Sequence, residues 1–70
     1  MKRQTVNSSN IDSIGYGESS EILEIEFLSG GIYQYLEVPM YIYEELMDAD
    51  SHGKYFAAYI KNKYETVRLK

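Results

Sequence analysis

The run Ser51-His52-Gly53-Lys54 is the part of this chain that comes nearest to a chemical site. At the start of a helix it would offer unpaired N–H donors and a partial positive charge, with Lys54 adding a full one and Gly53 letting a ligand approach the backbone. That combination suits a phosphate. The competing reading is an N-capped turn that needs glycine for its geometry, with Ser51 as the cap. Adjacency alone does not make Ser51 and His52 a nucleophile–base pair, and no oxyanion motif accompanies them. His52 is the single histidine, and there is no cysteine. Disulfides, thiolate metal sites and most acid–base arrangements are therefore excluded. Glu24 and Glu26 could pair two carboxylates on one strand face, but alternating acids on a strand are usually solvated. Glu44, Glu45 and Asp48 match no calcium loop, and no glycine pattern matches a nucleotide-binding fingerprint. These residues predict no catalytic site, no metal and no cofactor, and a protein that works by binding.

A second candidate is Tyr33-Gln34-Tyr35. Two aromatics at i and i+2 on one sheet face could stack on the bases of a single RNA strand, or both could be core. Tyrosine is abundant, with eight among 70 residues and no tryptophan. Charge is uneven. Residues 12–50 carry ten acids and no base, while residues 51–70 carry Lys54, Lys61, Lys63, Arg68 and Lys70 against Glu65 alone. The net charge of −4 argues against a phosphate-binding protein as a whole. The basic segment, with Lys2 and Arg3 at the other end, is either a binding face on an acidic body or a partner for the acids within the fold.

Elements that would position these residues follow from the pattern. Residues 1–10 are polar and read as a flexible segment outside the domain. Ile11–Gly17 forms a short strand with Ile14 and Tyr16 on one face, loosened by Gly15 and Gly17. Leu23, Ile25 and Phe27 alternate with Glu24 and Glu26, the period of a sheet with one wet face. Ser29-Gly30-Gly31 turns the chain, and Ile32–Val38 returns. A three-residue turn with a G1 bulge puts Tyr33 and Tyr35 on the face of Leu23 and Ile25, and a two-residue turn puts them on the other. Pro39 opens a first helix with the stripe Ile42, Tyr43, Leu46 and Met47, and Tyr41 faces away. A second helix turns Tyr55, Phe56, Tyr59 and Ile60 inward and Lys54 and Lys61 outward. Residues 65–70 are read as a tail, with room for a short strand through Val67 and Leu69. The expected fold class is α+β, a three-stranded antiparallel meander followed by two helices on one face, in a single domain over residues 11–64.

In this order and spacing the chain resembles the KTSC family. The resemblance runs through Val6-Asn7-Ser8-Ser9-Asn10-Ile11, Ile14-Gly15-Tyr16, Ser29-Gly30-Gly31, Tyr33-Gln34-Tyr35, Val38-Pro39 and Ser51-His52-Gly53-Lys54-Tyr55-Phe56. It implies a copy of a short domain that occurs alone in bacteria and phages and at the C-terminus of some lysyl-tRNA synthetases. That association suggests RNA as a ligand. The expected function is weak RNA or tRNA binding through Ser51, His52, Gly53, Lys54, Lys61, Lys63 and Arg68, with Tyr33 and Tyr35 as an aromatic platform. The alternative is a protein adaptor that presents the acidic strands and first helix to a basic partner. No apolar run approaches the roughly 20 residues of a membrane span, and no signal-like segment opens the chain, so a cytoplasmic location is expected.

Overall fold

The computed structural model describes all 70 residues. Five antiparallel strands lie in chain order across one sheet: β1 (Gln4–Thr5), β2 (Ile11–Gly17), β3 (Ile22–Phe27), β4 (Ile32–Tyr35) and β5 (Thr66–Arg68). Two helices, α1 (Met40–Asp48) and α2 (His52–Tyr59), connect β4 to β5. The α+β class and the central meander are as expected. The short C-terminal strand expected through Val67 and Leu69 is present as β5, while the N-terminal segment read as lying outside the domain supplies the edge strand β1. Val6 N–H donates to the Asp12 carbonyl, and Ile32 N–H to the Lys70 carbonyl, both at 3.1 Å. A short polar strand such as β1 carries no period of its own, so only its long-range pairing reveals it.

Turn chemistry sets the register of β3 against β4. Gly30 has φ +105°, and its N–H donates to the Phe27 carbonyl at 2.8 Å, while Phe27 N–H donates to Gly31 at 2.9 Å. This is the three-residue loop with a left-handed glycine, made by Leu28, Ser29 and Gly30 instead of the expected Ser29-Gly30-Gly31. Leu23 then faces Tyr35, and Ile25 faces Tyr33. Both tyrosines lie on the helix side of the sheet.

β2 carries a bulge at Asp12, where the pairing shifts between Ile11 opposite Phe27 and Ser13 opposite Glu26. A bulge reverses the alternation, so Ile11 and Ile14 both reach the core. With Leu23, Ile25, Tyr35 and Val38 from the sheet side they meet Ile42 and Leu46 of α1, and Phe56 and Ile60 at α2. Tyr59 departs from the expected stripe. It is 58% exposed, with its ring tilted 38° against that of the half-buried Tyr55 at 4.7 Å between centroids. An eight-residue helix turns only one row fully inward, and Phe56 with Ile60 is that row here.

Candidate functional site

At the start of α2, Ser51, His52 and Gly53, which suggested a phosphate site, each have a partner in the fold. Ser51 Oγ accepts from the Lys54 backbone N–H at 3.2 Å and caps the helix. The His52 ring donates from Nδ1 to the Leu46 carbonyl at 2.8 Å, tying the end of α1 to the start of α2. The space above Gly53 holds the Asn10 side chain. A Cβ there would stand 2.5 Å from Asn10 Oδ1. The Lys54 side chain is exposed.

The acids of β3 are similarly engaged. Glu24 is 5% exposed although it lies on the helix-free face of the sheet. Arg3 donates to Glu24 and, at 2.8 Å, to Glu26, while its Nε donates to Ser13 Oγ at 3.0 Å. Gln34 Nε2 donates to the other Glu24 oxygen at 2.9 Å. Burial alone would raise the Glu24 pKa; the hydrogen bonds from Gln34 and Arg3, with the guanidinium charge, outweigh it and hold the carboxyl below its ordinary value. Gly15 makes room for this arm, since a Cβ would meet the Lys2 carbonyl at 2.8 Å and Arg3 Cγ at 3.0 Å. Arg3 is thus a structural cation.

Sheet order keeps the basic ends apart. Lys2 and Arg3 sit at the β1 edge and Arg68 at the β5 edge, four strand spacings away, or roughly 19 Å. What the fold does bring together is Lys61, Tyr33 and Tyr35. They line one open cleft of about 450 Å³ between β4, β5 and the turn after α2. Its floor is the rings of Phe27, Tyr33, Tyr35 and Phe56. Edge-to-face contacts at 5.4–5.8 Å link Phe27 to Tyr33 and Phe56, and Phe56 to Tyr35. Asn10, Ser29, Asn62 and Thr66 complete the rim with Lys61. None of the lining residues is acidic.

The polar rim is placed by local chemistry. α2 ends where Lys61 N–H donates to the Phe56 carbonyl at 2.9 Å and Asn62 adopts φ +63°, a conformation asparagine tolerates. Asn10 Oδ1 accepts from Ser8 Oγ at 3.1 Å. Arg68 lies over the Tyr33 ring at 5.4 Å and donates from Nε to the Lys70 carbonyl at 3.0 Å. Tyr35 is 5% exposed, and its hydroxyl makes no hydrogen bond to the rest of the chain, yet no buried side-chain polar atom is orphaned, so this hydroxyl opens into the cleft. Burial, with Tyr33 nearby, pushes the phenol up to about 12, and it remains a neutral donor. Lys63 is exposed in the same turn as Lys61.

With this geometry the known proteins can be compared. A model of the KTSC domain matches residues 7–64. The chain belongs to the KTSC family. The crystal structure of a KTSC domain protein from Yersinia pestis superposes with a TM-score of 0.96 at 42% identity, covering 99% of this chain and 97% of that one. An uncharacterised protein of Stutzerimonas stutzeri is 41% identical over 64 residues, 91% of this chain and 90% of its own length. A lysine--tRNA ligase of Trichormus variabilis is 41% identical over 54 residues, 77% of this chain and 10% of the ligase. The family match ends before β5, so Thr66 and Arg68 lie outside it.

The sequence pointed to Lys61, Tyr33 and Tyr35 as members of two separate candidates. Asn10, Ser29, Asn62 and Thr66 were missed. Asn62 left one signal, an asparagine just past a helix end, and the others left none without the pairing of β4 with β5.

Proposed function

We propose that this KTSC domain acts by binding, without catalysis, and that it contacts a single RNA strand along the edge formed by the turn after α2 and β5. The observation that carries the reading is the acid-free cleft in which Lys61 meets an aromatic floor, with Arg68 against Tyr33. Single-strand binders combine basic tracks with aromatic rings in this way. The ligase of Trichormus variabilis, which charges tRNA by its name, contains a segment 41% identical to this domain, and this supports RNA over other polyanions. Lys61 and Lys63 supply phosphate contacts, and Arg68 adds a third. The acids of α1 and a net charge of −4 keep the affinity weak.

A titration of labelled single-stranded RNA at several salt concentrations tests this. Each phosphate contact contributes about 0.7 to the slope of log K against log salt. The Lys61→Ala/Lys63→Ala variant should therefore lower that slope by about 1.4 while its thermal midpoint stays put. Equal slopes for the two proteins contradict the reading.

A second reading has one observation behind it. Tyr41 and Tyr59 are about 60% exposed, and Tyr55 donates to Glu45 at 2.6 Å beside Glu44. This acidic, aromatic face of α1 and α2 suits a basic protein segment, the adaptor role. The β3 acids, both engaged by Arg3, do not contribute to it.

A further inference from the structure

Tyr35 is unusual among the buried groups. The other buried polar side chains, Ser13 and Glu24, are satisfied by Arg3 and Gln34. Tyr35 is equally buried, but its hydroxyl faces an open cleft with nothing of the chain to bond to. A hydroxyl that solvent reaches but the chain does not bond is free to bond a ligand, and one with a polar edge offers it a partner.

The remaining lining defines the ligand. Of the four aromatic rings, Phe27 and Tyr33 are the more exposed, and an aromatic lining of this kind favours an apolar-faced group. Asn62 carries a donor and an acceptor, and Asn10 offers its amide N–H groups while its Oδ1 accepts from Ser8. The Thr66 hydroxyl, donating to the Tyr64 carbonyl, adds an acceptor beside the Ser29 hydroxyl. A flat group with alternating donors and acceptors along its edge matches this rim. An aromatic protein side chain has too few polar atoms and would leave the two amides unmatched. Lys61 stands on the rim as the one full charge lining the cleft, placed for a phosphate attached to the flat group. A volume of about 450 Å³ is within the range of small-ligand clefts.

We infer that this cleft binds one unpaired nucleobase, its edge read by the Tyr35 hydroxyl and the Asn10 and Asn62 amides, with the adjoining phosphate against Lys61. The inference rests on the RNA reading for the source of the base, and a free nucleotide presents the same chemistry. Base pairing occupies the edge that the rim reads, so duplex RNA is excluded from the cleft.

The test uses the full chain and three probes: a short labelled single-stranded RNA, the same sugar–phosphate backbone with abasic sites throughout, and free nucleoside monophosphates. Each is titrated against wild type and Tyr35→Phe. Because the hydroxyl bonds nothing in the fold, Tyr35→Phe should melt with wild type. Loss of the bases should weaken binding by tenfold or more, in line with stacking energies of roughly 1–3 kcal/mol per base. Tyr35→Phe should weaken the normal strand by roughly three- to tenfold, the worth of one hydrogen bond, and leave the abasic strand unaffected. Equal affinity for normal and abasic strands overturns the inference and leaves the RNA reading standing on its phosphate contacts. A base effect that Tyr35→Phe does not touch also overturns it, by placing the base elsewhere. Tyr35-dependent binding of monophosphates with no binding of strands supports the cleft and refutes the RNA reading. Failure of all three probes refutes both.

Discussion

Truncating Arg3 to alanine removes the cation that lets Glu24 stay charged under 5% exposure. Hydrogen bonds to charged groups contribute about 1.5–3 kcal/mol each, and stranding one partner of a buried pair costs about 3–5 kcal/mol. The Arg3 side chain keeps 24% of its exposure, so water screens part of the interaction. A loss of about 2–3 kcal/mol is expected on these grounds. For a domain of this size 1 kcal/mol moves Tm by roughly 4–8 °C, so the midpoint should fall by about 10–20 °C. pH supplies the sharper signature. In wild type the Glu24 pKa lies below its ordinary value of 4.5, so the stabilisation is complete above that value and is lost as pH falls through the folded one. In Arg3→Ala, burial without the guanidinium pushes the same pKa up, and protonation relieves the variant. The gap between the two melting curves should therefore narrow as pH drops below about 4.5. Calorimetry or circular dichroism melts at neutral and acid pH measure this. A gap under about 2 °C, or one that stays constant with pH, would refute the role assigned to Arg3.

Two further outcomes follow from the packing. Phe56→Ala should cost about 3–5 kcal/mol, whereas Tyr59→Ala should stay within about 1 kcal/mol of wild type; chemical denaturation that ranks them the other way contradicts the burial pattern of α2. Gly53→Ala should lower Tm by forcing the Asn10 amide aside, and adding Asn10→Ala should restore it. A simple sum of two losses would show that the two residues do not compete for one space.

Local pattern made the centre of this fold legible. The alternation in β3, the glycines of the β3–β4 turn and the helix stripe ending at Met47 each state their structure within a few residues. Ser51 was legible as a cap for the same reason. The N-terminal edge was not, because Gln4-Thr5 becomes a strand only by pairing with β2; the C-terminal strand was legible through Val67 and Leu69, but its pairing with β4 was not. The charge pattern misled for a related reason. Glu24 and Glu26 read as solvated acids in a stretch without bases, while their partner stands 21 and 23 residues away. Gly15 and Gly17 held the available clue, since alternate glycines on a strand mark a close approach by another part of the chain. The cleft was half legible. Lys61 and the tyrosines were visible as residues, but their meeting depends on β5 lying beside β4, which no local signal encodes.

The most direct test of the RNA-binding proposal is a map of where RNA touches the domain. Amide chemical shifts of the labelled protein, followed by NMR as short single-stranded RNA is added, provide it. The account predicts that shifts concentrate at Asn10, Ser29, Tyr33, Lys61, Asn62 and Thr66, with the α1 amides of Glu44, Glu45 and Asp48 still. Shifts centred on α1 and Tyr59, or none at all at low salt, would contradict it.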